Sequence, residues 1–438
     1  MPDLKLPAVL EAADPEKMAP ILDPFLGNGK DTPAVEATRL QPPICYWAVY
    51  EHRHRRATLK VFFDEADFLD YRGKLEQYYA DRVERPDHPD GGIVFLPELN
   101  AIVWGFPFDP VMPDLARCFD PEWVADVMRR PGLALESKLV DYNPEIGAII
   151  AYRRVADKHV VAFGKVSTEE TCGVVYVVME RLWRSAARRE DRLALPKPLA
   201  FRPRSGFLLQ ARVRGRPASG DRNTEAFFAT AKAAGPILAT VHGVNAPFGP
   251  ERPFSFLLGR LEDGLEDLSL VAPPLYFSMR NLVGQLRERD AASQPAEPIG
   301  CHGDFKYDQL LRYRRRHVLI DYEMFCQAEP WLDVGTFCAY LPSSSPTDWR
   351  EAAAAEEARR VFLRRYREAT GLPIDWARLA LYESAMLGTR GMALAWGHHG
   401  DWMMRASALV DLALERLVAP EPPPEPPRRR RRRVLTAP

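Results

Sequence analysis

Three short segments concentrate the side chains able to do chemistry: His302-Gly-Asp-Phe-Lys-Tyr-Asp-Gln309, Ile320-Asp-Tyr-Glu323 and Glu329-Pro-Trp-Leu-Asp333. Asp304 and Asp321 stand seventeen residues apart. An apolar run, Val318-Leu-Ile320, leads straight into Asp321. A hairpin turned at residues 312–316 would bring both aspartates to the same end of two paired strands. Two carboxylates converging at a loop mouth repel each other unless a cation or a proton lies between them. That arrangement suits a Mg²⁺ site beside a catalytic base. Two unrelated turn aspartates are the alternative that spacing alone leaves open.

The joint pattern HGDxxxxQ followed by IDxE resembles the catalytic core of aminoglycoside phosphotransferases, choline kinases and related small-molecule kinases. Those enzymes share the phosphoryl-transfer template of protein kinases. The core of the resemblance spans residues 299–341, with weaker likeness over 140–415. It implies that Asp304 is the catalytic base that orients an acceptor hydroxyl. It implies that Gln309 and Asp321 hold Mg²⁺, that His302 structures the catalytic loop, and that Asp333 braces the loop from the following helix. The family usually has Asn where this chain has Gln309; the amide oxygen is the same but the side chain is one methylene longer. Asp308 or Glu323 could complete the metal contacts.

A kinase-like site also needs a strand lysine for the nucleotide phosphates and a helix glutamate to orient it. Lys165 ends the apolar run Val160-Val-Ala-Phe-Gly-Lys165, and Glu180 follows fifteen residues later on the next helix. A surface lysine and a solvated glutamate are the plainer reading of those two residues taken alone. Glu169 and Glu170 sit at the helix start and suit cap charges. Gly147, in Asn143-Pro-Glu-Ile-Gly147, is the one glycine offered for close backbone approach to a phosphate. The resemblance places adenine against the backbone around Ala211 to Val213. His242 reads as a helix-end histidine and His398-His399 as a helix cap rather than metal ligands. Glu383, Asp401 and Asp411 are acids that would suit a cationic acceptor, or else a solvated helix face.

The elements that must position these residues form an α+β protein with a bilobal protein-kinase-like fold: a β-rich N-lobe and a mainly α-helical C-lobe. The strands expected over 135–142, 146–153, 159–165, 197–201 and 207–213 belong to a nucleotide-binding N-lobe of residues 135–213. A helix capped at Ser167 or Thr168 carries an apolar stripe of Val174, Val177, Val178, Leu182 and Trp183. Helices expected over 224–242, 274–290, 349–370, 374–396 and 402–418 make a catalytic and acceptor-binding C-lobe of residues 214–419. Residues 1–134 form an extension, partly strands and helices packed on the N-lobe, opening with a loosely ordered lead-in to about residue 40 that has room for one short helix. No internal repeat stands out. Residues 420–438, rich in Pro and Arg, are expected to be disordered.

The formal net charge of −1 includes six arginines at 428–433; without them the remainder carries −7. A mildly acidic body argues against a nucleic-acid partner. The six cysteines form no CxxC pair, which argues against zinc and for reduced thiols in a cytoplasmic protein. No apolar run is long enough for a membrane span, and the first residues lack a signal-peptide core. The expected activity is transfer of the γ-phosphoryl of ATP, with Mg²⁺, to a hydroxyl of a small molecule such as an aminoglycoside, sugar or amino alcohol. The alternative is an inactive pseudokinase that binds a ligand or partner.

Overall fold

The computed structural model describes residues 14–27, 32–41, 45–80, 92–218, 224–343, 349–397 and 401–419. His398-His399, the arginine run at 428–433 and the tail of which it is part lie outside the described residues.

Asp14 and Asp120 each open a helix in the same way. Each carboxylate accepts backbone N–H groups of the first turn, and Pro15 and Pro121 take the first helical position. Each cap leads into the same series of elements. The first unit runs α1 (Pro15–Leu26), β1 (Ala34–Gln41), β2 (Cys45–His52), β3 (Arg55–Phe62), α2 (Glu65–Ala80), β4 (Ile93–Leu96) and β5 (Ala101–Gly105). The second runs α3 (Pro121–Val127), β6 (Leu135–Asn143), β7 (Gly147–Arg154), β8 (Val160–Val166), α4 (Glu169–Arg184), the single turn α5 (Ala186–Arg189), β9 (Pro198–Arg202) and β10 (Phe207–Ala211).

Both sheets are antiparallel and share one strand order, β1-β2-β3-β5-β4 and β6-β7-β8-β10-β9. The repetition reaches side chains. Asp14-Pro-Glu16 matches Asp120-Pro-Glu122. Pro97 and Pro203 open equivalent 3₁₀ turns, closed by Asn100 and Gly206 in the left-handed region at φ 47° and 51°. Lys60 lies between Trp47 and Ile102, and Lys165 between Ile149 and Leu208, at equivalent registers. The expectation of no repeat is therefore corrected; the short helix expected in the lead-in is present at residues 15–26, but 34–41 is a strand of the first sheet rather than loosely ordered chain. The shared residues are few and lie 105 or 106 positions apart, so pattern reading in short windows passes over them.

Each sheet is covered on both faces. In the first unit α1 lays Met18 and Leu22 on Ala48, Leu59 and Val103, while α2 lays Phe68 and Leu75 on Phe62 and Trp104. In the second, α3 covers Leu135, Ile150, Tyr152 and Phe207. The buried stripe of α4 is Cys172, Val175, Val178, Met179 and Leu182, which joins the main core of the helical half. That stripe is rotated from the expected one, and Val177 lies exposed.

The helical half comprises α6 (Glu225–His242), α7 (Phe254–Val271), α8 (Pro273–Ala291), α9 (Trp331–Tyr340), α10 (Ala352–Thr370), α11 (Trp376–Gly397) and α12 (Trp402–Val418). The sequence pattern did not bring out α7, whose glycines and acids break its apolar run, yet it buries Leu257, Leu258, Leu261 and Leu268. Three short pairings interrupt the helices. They involve β11 (Arg216–Pro217), β12 (Ile299–Cys301), β13 (Leu310–Tyr313), β14 (Arg316–Leu319) and β15 (Cys326–Ala328). The expected hairpin is present, with Leu310 opposite Leu319. Strand β1 of the first unit packs beside α11, so that unit touches both other parts of the chain.

Candidate active site

The loop after β12 turns at Gly303, whose φ is 80°. A Cβ there would sit 1.8 Å from the Met324 carbonyl oxygen, so only glycine fits. The backbone N–H groups of His302 and Gly303 donate to Asp333 at 2.7 and 2.8 Å. Asp333 is wholly buried at the start of α9, so this clamp is dry and rigid. His242, the last residue of α6, completes it: its Nε2 lies 3.0 Å from Asp333 and its Nδ1 2.9 Å from the Tyr366 hydroxyl. A carboxylate can only accept, so Nε2 carries the proton and Nδ1 accepts from Tyr366. His242 is thus more than a helix-end residue, although no sequence signal pointed to its partner 91 positions away. The ligand atoms of His242, Cys301 and Asp333 lie within 4.8 Å of one another. All three already serve in hydrogen bonds, to Tyr366, to the carbonyls of Ala328 and Glu329, and to the loop.

With its backbone held, the loop presents its side chains to the mouth. His302 donates from Nε2 to the Ile320 carbonyl at 3.0 Å, tying the two sequence segments together. Gln309 Nε2 bridges them again, 3.1 Å from Asp304 Oδ2 and 3.0 Å from Asp321 Oδ2. Lys165 crosses from β8 to place Nζ 2.6 Å from Asp321 and 3.0 Å from Glu323. Burial alone would strip the proton from this lysine and keep one on Asp321. Their mutual attraction outweighs it: the Lys165 ammonium is held above its ordinary range and the Asp321 carboxyl below its own.

Lys306 is a residue the sequence reading passed over. Its Nζ lies 2.7 Å from Asp304 Oδ2, and despite burial the neighbouring carboxylate keeps the ammonium protonated above the usual range. The signal was available: residues two apart in an extended loop point to the same side, and Lys306 follows Asp304 by two.

Other expectations fare differently. Glu180 does not reach Lys165. Its carboxylate pairs with Arg184 one turn along α4 at 2.5 Å, because the helix turns Cys172, Val175 and Met179 inward instead. Gly147 opens β7, where an added Cβ would meet the Val166 carbonyl at 3.1 Å. The N–H of Ala211 is committed to the Lys197 carbonyl at 2.8 Å, and Val213 lies in the connection that follows β10. Glu383 cannot greet a cationic acceptor: it is buried against Arg359 at 2.7 Å and also bonds Arg416. Asp401 pairs with Arg405, and Asp411 is an exposed residue of α12.

The second β unit and the helical half, joined at a lysine–aspartate contact, have the arrangement of a bilobal kinase-like fold, and the first β unit is additional to it. Residues 176–382 match the model of a family described as the phosphotransferase enzyme family, and that segment contains every residue from His302 to Asp333. Sequence comparison with curated proteins gives no match. A solved structure described as a candidate aminoglycoside phosphotransferase, from Ralstonia eutropha, aligns with a TM-score of 0.50 at 17% identity. The alignment covers 68% of this chain and 98% of that one. A choline/ethanolamine kinase family protein from Mesorhizobium loti aligns at 0.47 and 15% identity, over 69% and 94% of the two chains. Choline kinase from Cryptosporidium parvum aligns at 0.48 and 14%, over 69% and 93%. At 17% identity the likeness to the Ralstonia structure bears on the fold alone. About a third of this chain has no counterpart in the Ralstonia structure.

Proposed function

We propose that this protein transfers the γ-phosphoryl group of MgATP to a hydroxyl of a small molecule. One observation carries the reading: Lys165, Asp304, Gln309 and Asp321 meet in a single hydrogen-bonded chain, with Lys165 arriving from 156 residues before Asp321. Residues 135–213 then serve as the nucleotide lobe, and residues 214–419 as the catalytic and acceptor lobe.

Asp304 orients the acceptor hydroxyl and takes its proton as that oxygen bonds to the γ-phosphorus. The bond from phosphorus to the bridging oxygen breaks, and ADP leaves. Lys306, beside Asp304, places a positive charge where the transferring group gathers negative charge. Lys165 holds the nucleotide phosphates. Asp321 and Glu323 offer carboxylate oxygens that suit a hard divalent cation, and Gln309, whose Nε2 faces both aspartates here, would join them through its amide oxygen on rotation of the amide. A divalent cation such as Mg²⁺ held there would supply charge neutralisation for the nucleotide. The family description and the nucleotide complexes of similar structures support this reading; one aminoglycoside phosphotransferase structure is a ternary complex with ADP and hygromycin B. A cytoplasmic setting fits six free cysteines, all buried, and among the described residues no helix is long and apolar enough to cross a membrane.

The test is a thermal-shift titration with MgATP, MgADP and EDTA controls, on wild type and Asp321→Asn, followed by an acceptor screen. Stabilisation by Mg-nucleotide that disappears in the variant is expected. No shift at millimolar nucleotide would overturn the proposal. Binding without turnover across the screen would leave a non-catalytic binding module.

A further inference from the structure

The turn between β6 and β7, residues 143–146, is the segment that a kinase-like fold lays over the nucleotide phosphates. It is gripped from its far side by the first β unit and by the connection after β5. Glu145 sits in the left-handed region at φ 60°, a conformation that a side chain other than glycine seldom holds without support. The support is specific. Lys60 Nζ lies 2.7 Å from Glu145 Oε2, and the Tyr71 hydroxyl donates to Oε1. The same ammonium stands 4.1 Å from the centre of the Tyr71 ring. Asp109, wholly buried, accepts the Glu145 backbone N–H at 2.9 Å and the Tyr142 hydroxyl at 2.9 Å. Its other oxygen is committed to the N–H groups of Val111 and Met112. Trp104 donates to Tyr142 at 3.0 Å. On the near side, Ser167 donates to the Ile146 carbonyl at 2.7 Å.

We propose that residues 14–109 are a positioning domain for the nucleotide loop, acting through Lys60, Tyr71 and Asp109 on Glu145. A turn with Gly147 alone has little of the backbone freedom of a glycine-rich loop. Its conformation is imposed instead by an ion pair and two hydrogen bonds from outside. Lys60 occupies the register that Lys165 occupies in the second unit, but its carboxylate partner lies in the other β unit, whereas those of Lys165 lie in the helical half. The inference rests on the nucleotide reading of the cleft.

Isothermal titration of the full chain with MgADP tests it, on wild type, Lys165→Met, Lys60→Met, Glu145→Gln and the Lys60→Met/Glu145→Gln pair. Wild type binds, Lys165→Met loses binding, and each clamp variant weakens it roughly tenfold, as loss of a charged hydrogen bond would. The double variant is no weaker than either single one, because both remove the same contact. Amide exchange over residues 143–147 speeds up in the clamp variants, which a purely stabilising role elsewhere would not produce. If Lys60→Met does not fold, Tyr71→Phe removes a bond to the same carboxylate from the same domain. Clamp variants that bind MgADP within twofold of wild type, while Lys165→Met does not, would overturn this inference and leave the cleft assignment standing. A wild type that binds no nucleotide would overturn both.

Discussion

Two five-stranded units of one topology each carry a lysine at the same register, and the two lysines have different fates. Lys165 reaches out of its sheet to Asp321 and Glu323, whose side chains remain 32% and 40% exposed. Lys60 reaches to Glu145, 15% exposed, which belongs to the other unit. The two lysines are about equally buried, so the difference lies in their partners: carboxylates that face the cleft for Lys165 and an enclosed one for Lys60. The contrast teaches that the sheet supplies a lysine and a direction, and that the facing surface decides what the lysine does. Only the second unit is followed by the helical half, with its clamped loop and aspartates.

The largest effect expected from breaking this contrast is at the end of the Lys165 chain. Asp304→Ala should lower phosphoryl transfer by roughly 10²–10⁴-fold with the melting transition preserved, since a general base contributes about that much. An unchanged rate would remove the base from Asp304. Next comes the lysine comparison itself. Lys165→Met should cost roughly 10²–10³-fold in turnover, the loss typical of one preorganised charge-stabilising donor, against about tenfold for Lys60→Met. Equal losses would erase the distinction between the two units.

A stability effect ranks third. Burial, with a smaller push from Glu145, raises the Asp109 carboxyl to about 6 in the fold, against hydrogen bonds that act the other way. The folded state therefore holds this proton more tightly than the unfolded chain. Asp109 contributes stability that is fully present below about pH 4 and is lost as pH rises through about 6, on the order of 3 kcal/mol. Urea melts of wild type and Asp109→Asn should show the wild type gaining on the variant between pH 7 and pH 4. A pH-independent difference would place the carboxyl's titration elsewhere. The smallest effect is Glu180→Gln, expected within about twofold of wild-type turnover, because its partner Arg184 is 79% exposed and such pairs are worth little. A large loss would restore Glu180 to the site.

Much of the fold could be read in advance because its signals are local. The strands around Lys165, the Thr168 cap and the hairpin from Leu310 to Leu319 follow from alternation, caps and turn residues within a few positions. Helix α7 escaped because Gly259 and Gly264 interrupt its pattern, and Gly264 lies against Met392 of α11, whose sulfur is 2.8 Å from where a Cβ would sit. Lys306 escaped although it sits inside the HGDxxxxQ segment. Glu383 looked available because nothing near it in sequence announces Arg359.

The side-chain chemistry brought together between His302 and Glu323 was determined by the sequence itself. Gly303 must be glycine, Asp304 and Asp321 must be carboxylates, and a short hairpin must join them. These are demands of backbone geometry and charge over fewer than forty residues. The choice among candidates was decided only by the tertiary structure. It set Lys165 against Asp321 rather than Glu180, joined His242 to Asp333, and turned a second lysine-bearing sheet toward Glu145. Those contacts join residues 85 to 158 positions apart. Their geometry depends on how the sheets and helices pack, because burial and the angle of approach, which spacing along the chain does not encode, select which oppositely charged groups meet.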